Sequence, residues 1–121
     1  MNIDKIIEIV CKDYELSPEN IQLTTHKWYI VQPRQVCHFF ARQMTTLTAQ
    51  RIVELIGNRD HATVIHSCAT VLNLMETNRK YRVRIDGIET QLMIEALKDI
   101  TPKLSMSTYT ERKAMYLNLA I

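Results

Sequence analysis

Residues 48–77 read TAQRIVELIGNRDHATVIHSCATVLNLMET. Thr48 is an N-cap residue, and Ile52, Val53, Leu55 and Ile56 behind it supply the apolar side of a helix of about ten residues. Gly57-Asn58 ends that helix, because glycine takes the left-handed backbone conformation that a tight exit demands. Asp60 then caps a second helix. Its buried side is predicted to hold Val64, Cys68, Val71 and Met75, with Ile65 and Leu72 beside them. Two helices joined through a short glycine-containing turn outline a helix-turn-helix.

The flanks extend the helical pattern. Upstream, Pro33 suits the first turn of a helix whose stripe is Val36, Phe39, Phe40 and Met44, ending near Thr45. On that helix Arg34, Gln35, His38 and Arg42 are expected on faces left for solvent or a partner. Residues 24–32 have no helical period and read as a loop or extended lead-in, with Trp28 a packing residue. Ser17-Pro18-Glu19-Asn20 starts a short helix anchored by Ile21 and Leu23, and Ile3, Ile6, Ile7, Val10, Cys11 and Tyr14 give an amphipathic first helix over residues 3–14. Downstream, Arg79-Lys80-Tyr81-Arg82-Val83-Arg84 reads as a basic run with no partner acids. Val83, Ile88, Leu92, Ile94 and Leu97 then predict a helix ending before Pro102, and residues 107–121 predict one more, around Tyr109, Met115, Tyr116 and Leu119. The expected fold class is all-α, a helical bundle.

Composition sets the outer limits. A chain of 121 residues suits one compact domain with a modest core and excludes a two-domain enzyme. Two glycines and three prolines are too few for hairpin-rich β structure. Gly57 and Gly87 stand alone, so there is no phosphate-cradling loop ending in Gly-Lys-Ser/Thr. No apolar run is long enough for a signal-peptide core or a membrane span, which leaves a cytoplasmic protein as the expectation. Cys11, Cys37 and Cys68 lack CxxC spacing and suit reduced, buried thiols.

Charge is unevenly spread. Residues 1–23 carry two Lys/Arg against five Asp/Glu, residues 24–84 nine against three, and residues 85–121 four against five. All four histidines also lie in the basic middle. Cations clustered in a chain of near-neutral total charge mark a face for an anionic partner, and nucleic acid is the commonest such partner.

The stretch Gly57-Asn58-Arg59-Asp60-His61-Ala62-Thr63-Val64-Ile65-His66-Ser67 resembles the GGRDHTTVLHA signature of the bacterial replication initiator family DnaA. Pro33-Arg34-Gln35, followed by an apolar helix with Ala41-Arg42 and Thr45, is similar to that family's PRQxxxxLAxxLT pattern at the family's spacing, and Tyr14-Glu15-Leu16 fits its opening pattern. The resemblance covers residues 3–78. It implies the family's C-terminal DNA-binding domain, a Trp-repressor-like helix-turn-helix, over residues 1–78, with residues 79–121 a helical extension packing on or beside it.

In that reading Asp60, His61, Ala62 and Thr63 form the first turn of the recognition helix, where side chains reach base edges in the major groove. Arg34, Gln35 and Arg42 match positions that hold phosphates, and His26 stands where the family inserts an arginine into the minor groove, followed by Lys27. The resemblance adds Thr45, Ala49, Gln50, Arg59 and His66 to the expected DNA contacts. Ala62 replaces a threonine and Asn58 a glycine. With no ATPase portion in the sequence, the expectation is a free-standing relative, such as a phage or mobile-element protein. It would bind double-stranded DNA in replication initiation, its regulation or transcription regulation, with protein partners in a replication complex.

Two other classes stand beside it. A metal enzyme assembled from Cys37, His38, His61, His66 and Cys68 lacks ligand spacing, since His61 and His66 stand about 140° apart around a helix. No catalytic, cofactor or metal site is expected. A protein-interaction adaptor that kept the helix-turn-helix without DNA binding stays open, and a salt-sensitive duplex shift separates it from the DNA reading.

Overall fold

The computed structural model describes residues 1–57 and 60–100. Four of its five α-helices begin where a short polar side chain accepts a backbone N–H that the helix itself cannot satisfy. Asn2 Oδ1 accepts from Lys5 N at 2.9 Å ahead of α1, Ile3–Asp13. Thr48 Oγ1 accepts from Arg51 N at 3.2 Å ahead of α3, Ala49–Leu55. Asp60 Oδ1 accepts from Ala62 N at 3.1 Å ahead of α4, His61–Thr77. Asn78 Oδ1 accepts from Tyr81 N at 3.1 Å ahead of α5, Arg79–Ile100. The 3-10 helix Pro18–Gln22 is held by Asn20 Oδ1, which accepts from Ser17 N and Ser17 Oγ at 3.0 and 2.8 Å.

The exception is α2, Trp28–Met44, which starts well before Pro33. Val31 N donates to Lys27 O at 2.9 Å, and buried Ile30 anchors the added turn. Pro33 therefore lies inside the helix, and the cost of its missing N–H falls on the carbonyl of Tyr29, a surface residue.

Helix α2 packs on α1, α3 and α4, while α5 closes the other side against α1 and α4. One core joins Ile6 and Val10 of α1, Val36 and Phe40 of α2, Ile52 and Val53 of α3, Val64 and Val71 of α4, and Ile85, Ile88 and Leu92 of α5. Each such side chain contributes about 1.5–3 kcal/mol on burial. Tyr81, Ile85, Ile88 and Leu92 recur at helical spacing, so α5 shares the core of the helices before it. Among the described residues there is no strand, and no helix is long and apolar enough to cross a membrane. The fold is all-α.

Several expectations change. Helix α3 has 7 residues, shorter than its pattern suggested. On α4, Ile65 and Leu72 are 59% and 50% exposed, and Ser67 takes a buried place beside Val64 and Val71. Val83 is exposed and Ile85 buried in its stead. The basic run forms the first turns of α5, and two of its arginines do meet acids. Arg82 Nε lies 3.9 Å from Asp86 Oδ2, and Arg84 Nε lies 3.1 Å from Asp13 Oδ2, with its guanidinium 4.3 Å from the Tyr14 ring centre. The cysteines are free thiols, Cys11 and Cys37 buried and Cys68 half-buried. The helix expected in residues 107–121 lies outside the described residues.

Candidate nucleic-acid interface

Helices α3 and α4 pack together across the turn that begins at Gly57. Gly57 has φ +82°, and a Cβ there would also come within 3.3 Å of Arg34 Cδ. Glycine is thus selected twice, by backbone conformation and by the arginine passing beneath it. Beyond the turn, the start of α4 is open. Asp60, His61, Ala62 and His66 are exposed and Thr63 is half-buried. Asp60 Oδ1 serves Ala62 N and also lies 3.1 Å from His61 Nδ1. With Nδ1 turned to that carboxylate, Nε2 is the ring nitrogen left for a base edge.

Arg34 does not stand at solvent. It is 5% exposed, and its guanidinium donates to three carbonyls of the preceding 3-10 helix and loop: Nε to Ile21 O at 2.7 Å, Nη2 to Leu23 O, and Nη1 to Thr25 O at 3.4 Å. The physical reason is the loop's inward carbonyls, which need several donors from one direction; the guanidinium fork provides them. His38 is also buried, with Nδ1 2.9 Å from Ser67 Oγ and Nε2 3.3 Å from Ile56 O. The Ile56 carbonyl can only accept, so Nε2 carries the proton and Nδ1 accepts from the Ser67 hydroxyl. Burial holds the imidazole pKa below its ordinary value, and the nearby Arg34 charge acts in the same direction.

Gln22 completes this frame. Its Nε2 donates to Leu55 O at 3.0 Å and its Oε1 accepts from Gly57 N at 2.9 Å. Gln22 and Arg34 together tie the loop before α2 to the turn before α4. The side chains that loop carries, His26 and Lys27, are exposed. Nothing in the sequence singles out Gln22, a lone amide in a short 3-10 segment. His38 had a signal: it is the one polar residue in Val36-Cys37-His38-Phe39-Phe40-Ala41, a run buried on every side.

The remaining candidates are dispersed. Arg42 is exposed in the last turn of α2, Gln35 is half-buried, and Gln50 is exposed on α3 with Ala49 half-buried beside it. Thr45 spends its hydroxyl locally, donating to Ala41 O at 2.6 Å and accepting from Leu47 N at 3.2 Å. Arg59 and Asn58 lie outside the described residues.

The architecture is that of a helix-turn-helix domain. Residues 3–71 match the family described as Bacterial dnaA protein helix-turn-helix, and the chain belongs to that family. Among similar proteins is the Chromosomal replication initiator protein DnaA of Bacteroides fragilis, 39% identical over 92 residues that cover 76% of this chain and 19% of that protein. The DnaA of Flavobacterium psychrophilum is 38% identical over 94 residues, 78% of this chain and 20% of its own length. That of Campylobacter concisus is 29% identical over 93 residues, 77% and 21% respectively. The chain thus spans about a fifth of the length of the curated relatives it matches.

Proposed function

We propose that this chain binds double-stranded DNA with a sequence preference and serves in replication initiation or its regulation. The first turn of α4 enters the major groove, where Asp60, His61, Ala62 and Thr63 meet base edges, and His66 one turn on meets the groove wall. His26 and Lys27 lie at the neighbouring minor groove. Arg42, Gln35, Gln50 and Arg59 meet the sugar-phosphate chain, while Thr45 and Ala49 shape the backbone's approach there. Residues 1–78 supply the reading surface, and the helix that follows completes its core. No catalytic role is assigned.

The observation that carries this reading is the open first turn of α4, with Gln22 tying the segment before the His26 loop to Leu55 and Gly57 and Arg34 tying that loop to α2. Elements held by a hydrogen-bonded frame lose less freedom on binding than unattached ones. Arg34 in this account positions the loop and holds no phosphate itself.

Selection of bound duplexes from a random library, followed by salt titration on the selected sequence, tests the proposal. Each neutralised phosphate adds about −0.9 to the slope of log K against log salt, so Lys27, Arg42 and Arg59 together predict roughly −3. A flat slope with no selected sequence contradicts it and favours the adaptor.

A further inference from the structure

Trp28 was expected to pack inside, and it is 75% exposed at the first position of α2. Tyr29 stands edge-on to it, ring centres 6.0 Å apart, with Lys27 Nζ 6.0 Å from the Tyr29 ring centre. An indole left in water forgoes the burial that large aromatics ordinarily supply to a core. Its stretch of chain suits an anionic partner, because exposed Lys27 adjoins it and no Asp or Glu occurs anywhere from residue 20 to residue 53. The backbone leading to it is hydrogen-bonded in place. Lys27 N donates to Thr25 Oγ1 at 3.2 Å, and the Thr25 carbonyl accepts from Arg34 at 3.4 Å, so the aromatic pair sits at the end of the tethered loop.

We propose that Trp28, backed by Tyr29, packs its indole against the deoxyribose edges of the minor groove that the His26–Lys27 loop meets. This rests on the DNA-binding reading above. An aromatic face laid on sugars adds contact area to any sequence, and being uncharged it releases no counterions. Trp28 therefore strengthens selected and random duplexes by the same factor and leaves the salt dependence unaltered, unlike a lysine or arginine at the same edge.

Trp28 is the only tryptophan of the chain, so its own fluorescence reports on it. Acrylamide quenching of the full chain, alone and with a saturating 20-base-pair duplex whose binding is followed separately by the anisotropy of a label on the DNA, is the first arm. Quenching should fall by about half or more in the complex. In the second arm Trp28→Ala should weaken both selected and random duplexes about tenfold at an unchanged salt slope, with Trp28→Phe recovering part of the loss. Saturated anisotropy with unprotected Trp28, or protection with undiminished affinity in Trp28→Ala, overturns this inference and leaves the DNA-binding reading standing. Absence of any anisotropy change overturns both.

Discussion

The two ends of the first half of α2 put similar residues to opposite uses. At the start, Lys27 and Trp28 stand in solvent. About a turn and a half later Arg34 is enclosed, and one turn beyond it His38 is sealed between Ser67 and Ile56. Each region sets a basic side chain among apolar neighbours, so composition scores them alike. What separates them is the backbone nearby. Around Arg34 the carbonyls of Ile21, Leu23 and Thr25 converge, and a guanidinium satisfies all three. A cation in this basic stretch therefore serves the fold or stands at solvent according to how many buried acceptors it meets.

The largest effect that comparison predicts is at Arg34. Arg34→Met keeps the stem and leaves the loop carbonyls without their donor, which should cost about 2–4 kcal/mol in urea unfolding at an unchanged m-value. Arg34→Lys should recover little, since one ammonium cannot span three carbonyls. A loss under about 0.5 kcal/mol would place Arg34 with the surface cations and erase the contrast.

His38 sharpens the same contrast through pH. Its folded-state pKa is lowered by burial from an ordinary value of 6.5, so below that value the unfolded chain binds the extra proton and the folded chain resists it. Stability from this group is complete above about pH 7 and declines as pH falls through 6.5, by up to about 1.4 kcal/mol per pH unit. His38→Gln, which retains a donor for the Ile56 carbonyl, should show a flatter profile between pH 7 and 5.5. Identical profiles would mean that the imidazole is not held neutral.

Legibility in the sequence followed the range of the interactions. Thr48, Gly57 and Asp60 announce their roles because capping and positive φ are decided within three or four residues, and α1 and α4 follow from periodicity. The start of α2 was misplaced because proline favours a first turn, whereas buried Ile30 draws the helix further back. Arg34, His38 and Gln22 took their roles from partners 9 to 35 residues away, which no local pattern encodes. The turn proposed to read bases, residues 60–63, was visible through its motif, but the exposure of Trp28 was not.

The most direct test of the central claim, that the first turn of α4 reads bases, is competition between the selected duplex and a random one for His61→Ala, with Arg42→Ala as reference. His61→Ala should cost about 1–3 kcal/mol on the selected duplex and little on the random one, so the preference itself shrinks. Arg42→Ala should weaken both equally and reduce the salt slope by about one. If His61→Ala weakens the two duplexes by the same factor, α4 does not read the sequence and the account is contradicted.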